Sequence, residues 1–196
     1  MKKIKDHYFH KAKKDCYAAR SVYKIEEIDK KYRIIRTGNK VLDLGCSPGS
    51  WLQYASRKVG NSGQVLGVDL QPVKILLPSH VKVIKADIFE VTDEDLKIKG
   101  GQVDVILSDM APKTTGIRTT DVHRSFELSK KVLYLANDIL CPEGSLLVKA
   151  FQGNLFDKLC YEFKKMFTDV KLCKPKSSRS ESVVIFILGR GKKRTI

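Results

Sequence analysis

Short apolar runs, each followed by a polar or glycine-containing segment, recur along the chain from residue 41 onward. Runs of this length, bounded in this way, are typical of buried β-strands. The pattern predicts five strands ahead of residue 151, over residues 41–44, 64–68, 81–86, 103–107 and 145–150. Two further runs, residues 170–173 and 183–188, predict two last strands.

The segments between these runs carry apolar residues at helical spacing instead. Residues 121–140 repeat them at intervals of three and four, which predicts a long helix. Shorter helices are predicted over residues 50–58, with Ser50 as N-cap, and over residues 154–167. Ahead of the first strand, residues 18–32 predict a helix whose apolar face comprises Val22, Tyr23, Ile25 and Ile28.

Strands that alternate with helices predict an α/β fold with a largely parallel sheet, covered by helices on both faces. In such sheets, ligands bind beyond the carboxyl ends of the strands. Acidic residues and a glycine fall near four of those ends: Asp43, Gly45, Asp69, Asp87 and Asp109. The sequence therefore predicts a binding site at this edge of the sheet.

The segment after the first strand, residues 43–51 (DLGCSPGSW), is typical of a tight turn from a strand into a helix. Its glycines, Gly45 and Gly49, allow the backbone to turn sharply and to approach a ligand closely. Asp69 lies twenty residues after Gly49 at the next strand end, where a carboxylate is suited to bind both ribose hydroxyls of an adenosine. Asp87, at the third strand end, is suited to meet the adenine amino group.

The same turn lacks the features that bind phosphates. It has no third glycine of a G-x-G-x-x-G motif, and no Gly-Lys-Ser/Thr follows it. Pro48 also removes one backbone N–H that a pyrophosphate would use. The pattern therefore favours a nucleoside ligand without phosphates, of which S-adenosylmethionine (SAM) is the common one. A purely structural turn, with Trp51 as a core aromatic, is the alternative.

The positive charge of the chain is concentrated at its two ends. The net charge is +15, yet residues 41–170 are neutral overall. Residues 1–40 carry thirteen Lys and Arg against five Asp and Glu, and residues 171–196 carry eight against one. This distribution favours a polyanionic partner, with nucleic acid ahead of an anionic membrane surface. Merely solvated basic tails are the alternative.

Several other kinds of site are disfavoured. The five cysteines show no C-x-x-C spacing, so a zinc site or a disulfide framework is not expected, and no metal is predicted. His123 has no metal-ligand partner at a telling spacing and is interpreted as structural. No apolar run approaches the ~20 residues of a membrane span, and the N-terminus lacks a signal-peptide pattern. We therefore expect a cytoplasmic protein, and a monomer.

Four motifs in the same order resemble those of the FtsJ/RrmJ ribose 2′-O-methyltransferases. They are residues 17–24 (YAARSVYK), 43–51 (DLGCSPGSW), 108–112 (SDMAP) and 178–182 (SRSES). The resemblance extends from about residue 12 to residue 190. It implies a SAM-dependent methyltransferase fold, in which a seven-stranded, mostly parallel sheet has an antiparallel last strand. It also implies one domain, with a basic helical extension over residues 1–36, a catalytic core over 37–190 and a basic tail over 191–196.

The resemblance also implies roles for individual residues. A Lys-Asp-Lys-Glu tetrad would comprise Lys24, Asp109, Lys149 and Glu181. SAM contacts would come from residues of the turn and the strand ends: Gly45, Gly49, Ser50, Trp51, Asp69, Asp87 and Asp109. Ser50 stands where glycine is common in the family, and Cys46 and Ser47 stand where alanine is common; none of these departures removes a functional group.

The tetrad chemistry suits methyl transfer to a ribose hydroxyl, which is a poor nucleophile until it is deprotonated. A free lysine has a pKa near ~10.4 and is mostly a cation at neutral pH. Burial and a second lysine both disfavour that cation, so Lys24 would help Lys149 act as the base. Lys113 and Arg118 either contact the RNA backbone or are simply solvated.

The compact length favours large-subunit ribosomal RNA as substrate, where the family target is a uridine of the A loop, in naked RNA or in the ribosomal subunit. Two alternatives remain: a tRNA or mRNA-cap 2′-O-methyltransferase, and a non-catalytic RNA-binding factor in ribosome assembly.

Overall fold

A computed structural model describes residues 7–92, 94–96, 98, 101–178 and 182–194. Within these residues, the chain forms seven strands and five helices. The strands are β1 (Lys40–Leu44), β2 (Gln64–Asp69), β3 (Val81–Lys85), β4 (Val103–Ser108), β5 (Leu140–Phe151), β6 (Phe167–Cys173) and β7 (Val184–Lys192). The helices are α1 (His7–Lys14), α2 (Val22–Tyr32), α3 (Ser50–Val59), α4 (Arg118–Ile139) and α5 (Phe156–Met166).

All seven strands form one sheet in the order β3-β2-β1-β4-β5-β7-β6. The five strands from β3 to β5 pair in parallel, whereas β7 is antiparallel to both β5 and β6. This confirms the expected sheet, mostly parallel with an antiparallel last strand. The parallel register brings the ends of β1, β2 and β4 to one edge, since Leu44 pairs with both Val68 and Ser108.

Helices cover both faces of the sheet, because alternate strand residues point to opposite sides. Leu42 and Leu44 pack with the apolar faces of α4 and α5. Val41, from the same strand, packs on the other side with residues of α2 and α3. No helix in the described part of the chain is both long and apolar enough to cross a membrane.

Two details of the predicted helices are corrected. The N-terminal segment forms two helices, and α2 begins at Val22 rather than at residue 18. Ser50 is not the N-cap of α3; that position belongs to Gly49, whose φ of 114° suits a residue without a side chain. A Cβ at Gly49 would also lie 2.5 Å from Ile75 Cδ1, so close packing adds to the requirement for glycine.

A buried carboxylate joins α2 to the rest of the molecule. Asp29 is only 1% exposed, and its Oδ1 accepts the backbone N–H of Ile35 at 2.9 Å. Its Oδ2 accepts the Tyr54 hydroxyl at 2.8 Å and lies 3.3 Å from Lys58 Nζ. Tyr54 and Lys58 belong to α3, so this one side chain fixes α2 against the helix that follows the turn of residues 45–49, called the glycine turn below.

Asp29→Ala would leave the Ile35 N–H and the Tyr54 hydroxyl without their acceptor inside the protein. We expect the free energy of unfolding to fall by about 2–4 kcal/mol, measured by urea denaturation. Glu26→Ala is the matched control, because it removes a more exposed acid of α2 that forms an ion pair with Lys30 four residues later. That loss should be about 0.5 kcal/mol or less. Equal effects of the two variants would contradict this role of Asp29.

Candidate functional site

A cavity of about 660 Å³ opens at the carboxyl ends of the parallel strands. Each of the first four strands contributes to it at or just beyond its last residue. The lining includes Gly45, Ser47, Asp69, Asp87 and Asp109. The structure thus brings five residues from four strand ends around one space, and four of them are predicted site residues.

Backbone donors fix two of these carboxylates in place. Asp69 accepts the N–H of Ser47 at 2.9 Å and that of Gln71 at 2.7 Å, one on each oxygen. Asp87 accepts the N–H of Phe89 at 2.9 Å. The Ser47 bond therefore joins the glycine turn to the end of β2 at one side of the cavity.

The turn itself requires glycine at its first position. Gly45 has a φ of 79°, in the left-handed region, and its Cα faces Met110 from the segment after β4. A Cβ there would lie 2.6 Å from Met110 Cγ and 3.0 Å from its backbone nitrogen. Glycine therefore allows the loops after β1 and β4 to approach each other at the cavity.

A third carboxylate lies beneath these loops. Asp43 is fully buried, and neither of its oxygens has a hydrogen-bond partner in the described part of the chain. Burial raises the pKa of Asp43 well above its ordinary value, and the negative charges of Asp109 and Asp69 raise it further. The neutral acid is therefore favoured at Asp43, and the carboxylates that line the cavity are Asp69, Asp87 and Asp109, which favour a cationic ligand over a phosphate.

Two lysines converge on the carboxylate at the end of β4. Lys149 Nζ lies 3.0 Å from Asp109 Oδ1, and Lys24 Nζ lies 3.6 Å from the same oxygen. Lys149 also donates a hydrogen bond to the backbone carbonyl of Asp109. The three side chains are between 10% and 20% exposed, so the charges meet in a partly desolvated place.

This environment changes the acidity of Lys149. Burial lowers the pKa of its ammonium group below the ordinary value, and the positive charge of Lys24 lowers it as well, whereas Asp109 acts in the opposite direction. A larger fraction of Lys149 is therefore neutral near physiological pH than for a solvated lysine. A neutral amine at this position can accept a proton.

The fourth residue of the predicted tetrad, Glu181, lies outside the described residues. The chain leading towards it is nevertheless anchored beside Lys24. Arg20 donates to the carbonyl of Ser177 at 3.1 Å, and the N–H of Lys176 lies 3.0 and 2.9 Å from the carboxylate oxygens of Glu27. Helix α2 therefore holds both Lys24 and the segment that precedes Glu181.

The remaining predicted cofactor residues lie at the start of α3. Gly49 closes the turn, but the side chains of Ser50 and Trp51 are buried and bond to Ser21 at the start of α2. Contacts of Gly49, Ser50 and Trp51 with a cofactor stay predictions, and the two side chains are engaged with α2 instead.

The cavity also has walls that the sequence analysis did not identify. Leu70 and Phe89 line it and are more than half exposed, next to the strand-end carboxylates that the spacing singled out. His123, interpreted above as structural, is an exposed residue of the lining at the start of α4. Adjacent Arg124 donates to the carbonyl of Lys113 at 3.1 Å. Leu70 and Phe89 could have been identified from their positions close to Asp69 and Asp87 in the sequence, whereas no such neighbour points to His123.

Comparison with known proteins gives a consistent result. Residues 17–192 match the family model of the FtsJ-like methyltransferases. Curated proteins named ribosomal RNA large subunit methyltransferase E are close relatives. The one from Desulfatibacillum aliphaticivorans is 48% identical, covering 96% of this chain and 91% of its own. The one from Bdellovibrio bacteriovorus is 49% identical, with 96% and 97% covered.

Solved structures agree with the fold. A Plasmodium falciparum protein described as a ribosomal RNA methyltransferase superposes with a TM-score of 0.80 at 27% identity, covering 90% of this chain and 98% of that one. A Clostridium thermocellum protein described as an rRNA methylase has a TM-score of 0.58 at 16% identity, with 86% and 97% covered, which supports the fold alone.

The charges around Lys149 give a prediction that does not depend on activity. Lys24→Met removes a cation and should raise the pKa of Lys149, whereas Asp109→Asn removes an anion and should lower it further. The pKa is measured by NMR of ¹³C-labelled lysine, with Lys149→Arg to assign the signal. Lys130→Met, which removes an exposed charge from α4, is the control and should leave the titration unchanged. An ordinary lysine pKa near ~10.4 in the unaltered protein would contradict this description of the site.

Proposed function

This chain belongs to the FtsJ-like methyltransferase family, and from that premise we propose that it transfers a methyl group from SAM to a ribose 2′-hydroxyl of RNA. The observation that carries the proposal is the convergence of Lys24, Asp109 and Lys149 beside the strand-end cavity. The cavity supplies a place for a nucleoside cofactor, and the adjacent lysines supply a base for a hydroxyl.

The residues of the cavity fit SAM better than a phosphorylated cofactor. Asp69, Asp87 and Asp109 place carboxylates around the cavity, where a phosphate would be repelled and a cation attracted. Bound SAM supplies a methyl group activated by a positively charged sulfonium. The cavity volume of about 660 Å³ lies within the range of roughly 300–1,000 Å³ that is typical of small-molecule sites.

Individual residues have distinct roles in holding this cofactor. Asp69 is already oriented by two backbone N–H groups, so its remaining lone pairs are available to the ribose hydroxyls. Asp87, held by the N–H of Phe89, is suited to accept from the adenine amino group. Leu70 and Phe89 provide apolar surface for the flat adenine ring. The backbone at Gly45 and Gly49 makes the remaining proposed contacts with SAM.

Lys149 is the proposed general base. Its lowered pKa gives it a neutral fraction that takes the proton from the ribose hydroxyl as that oxygen attacks the methyl group. Asp109 orients the amine through two contacts, one from its carboxylate and one from its carbonyl. Lys24 opposes protonation of Lys149, and Glu181 completes the tetrad by family resemblance. Much of the remaining catalysis comes from positioning the two reactants.

Large-subunit ribosomal RNA is the proposed substrate, and a uridine of the A loop is the proposed target. Relatives of nearly the same length carry that substrate class in their names. Basic residues near the site support an RNA partner: Lys174 and Lys176 are exposed on the segment anchored to α2, and Lys113 is exposed at the cavity. A ribose hydroxyl as acceptor selects RNA over DNA. We further propose a monomer that acts in the cytoplasm.

The direct test is transfer of labelled methyl from SAM to large ribosomal subunits that lack native methylation, followed by mass-spectrometric mapping of the product. A 2′-O-methyluridine in the A loop is expected. Transfer to tRNA alone would overturn the substrate and keep the chemistry. RNA binding without transfer to any RNA would instead favour a non-catalytic assembly factor.

Replacing the proposed base should separate binding from chemistry. Lys149→Ala should lower turnover on the order of 10²–10⁴-fold, while the SAM dissociation constant measured by calorimetry stays within about twofold. Lys149→Arg should be similarly impaired, because a guanidinium keeps its proton at any working pH. In the unaltered enzyme the rate should rise with pH and level off above the lowered pKa of Lys149. Near-normal turnover of Lys149→Ala would exclude it as the base.

A further inference from the structure

The hydroxyl of Ser21 has an unusual use. Ser21 occupies the N-cap position of α2, where a serine side chain commonly accepts a backbone N–H of its own helix. No such capping bond is made here. The hydroxyl instead lies 2.9 Å from Oγ of Ser50, the first residue of α3, which is 2% exposed. The start of the helix that carries Lys24 is thus bonded to the helix that follows the glycine turn.

The carbonyl of Ser21 makes a second connection at the same place. It accepts the backbone N–H of Lys24 at 3.1 Å, which forms part of the first turn of α2. It also accepts the indole N–H of Trp51 at 2.9 Å. The N-cap residue of α2 therefore contacts the first two residues of α3 and bonds directly to the backbone of Lys24.

Aromatic packing supports the same arrangement. The Trp51 ring is 3% exposed and packs against Phe186 of β7, with 5.9 Å between ring centroids. The Lys24 ammonium lies 5.7 Å from the centroid of that Phe186 ring. Trp51 thus supports both the backbone at the start of α2 and the ring against which the Lys24 side chain lies.

We propose that Ser21, through its hydrogen bond with Ser50, is a positioning residue that holds Lys24 at its distance from Asp109 and Lys149. The proposal rests on the proposed function. Loss of the bond between Ser21 and Ser50 would slow the reaction, because a shift of α2 would move Lys24 away from Asp109 and Lys149. The residues from Gly49 to Trp51, which close the glycine turn, thus also support the position of Lys24.

The charges around Lys149 determine what a shift of α2 would do. From α2 it faces the Lys24 ammonium, and from the end of β4 it faces the Asp109 carboxylate and carbonyl. Asp43 of β1 interacts with Asp109, and its raised pKa favours the neutral acid, so it adds little charge near Lys149. If Lys24 moves away, Lys149 no longer has a repelling cation beside it. The Asp109 carboxylate then has one cation fewer near it and attracts the Lys149 ammonium more strongly. Both changes favour the protonated amine, so the rate profile should move to higher pH.

The test compares Ser21→Ala, Ser50→Ala and the double variant in single-turnover methyl transfer across pH. Each single variant should slow the reaction at neutral pH by about five- to tenfold. The double variant should be no slower than the single variants, because all three variants remove the same hydrogen bond. The rate profile should shift to higher pH in all three. Ser21→Thr, which keeps a hydroxyl, should restore most of the rate.

Ser56→Ala is the matched control, since it removes another buried hydroxyl of α3, one that bonds to His80 rather than to α2. It should lower the melting temperature without changing the rate or the pH profile. A loss of stability in Ser21→Ala with an unchanged pH profile would overturn the proposal and leave only a structural contact.

The Lys149 titration by NMR in Ser21→Ala separates this proposal from the proposed function. A raised pKa of Lys149 is expected even where no RNA is present. If the unaltered protein methylates no RNA, the function fails on its own evidence. If it does methylate RNA, and Ser21→Ala leaves both the titration and the rate unchanged, the positioning role alone is wrong.

Discussion

A lysine ammonium is unfavourable in a desolvated place unless neighbouring groups offset the loss of water, and the site is arranged around that constraint at Lys149. The Asp109 carboxylate and carbonyl both contact its Nζ, which keeps the side chain at the strand end. The Lys24 ammonium lies near the same carboxylate, and its positive charge lowers the pKa of Lys149. The three groups together hold an amine that is fixed in position and still able to lose its charge. Because they come from α2, the end of β4 and β5, the constraint requires the N-terminal helices to be docked on the sheet before the site exists.

Charge is divided in the molecule according to what each part binds. The net charge of +15 resides in the chain ends, while the strand ends at the cavity carry carboxylates. Asp43 is the exception, because it is fully buried beside two other acids and its raised pKa favours the neutral acid. An acidic cavity within a basic protein suits a cationic nucleoside cofactor beside a polyanionic substrate, and it keeps the two ligands from exchanging places.

The sequence was most informative where local pattern determines structure. Apolar runs ending in Asp43, Asp69 and Asp109 predicted both the strands and the residues at their ends, because parallel strands are buried on both faces and end at a common edge. Composition and spacing could not order the strands, and the antiparallel last strand followed only from family resemblance. The position of β7 between β5 and β6 was not predicted. The Ser21–Ser50 bond joins residues 29 positions apart with no periodic signal, so Ser50 was interpreted as a cap. His123 reaches the cavity through the placement of α4, which depends on packing across the whole sheet.

The central claim is that the cavity holds SAM with its methyl group beside the place where the amine of Lys149 deprotonates a ribose hydroxyl. A crystal structure of the protein with bound SAM tests it most directly. The account predicts the adenosine between Asp69 and Asp87 and the methyl group directed towards the space beside Lys149 and Asp109. Binding of SAM elsewhere, or in this cavity with the methyl group directed away from Lys149, would contradict it.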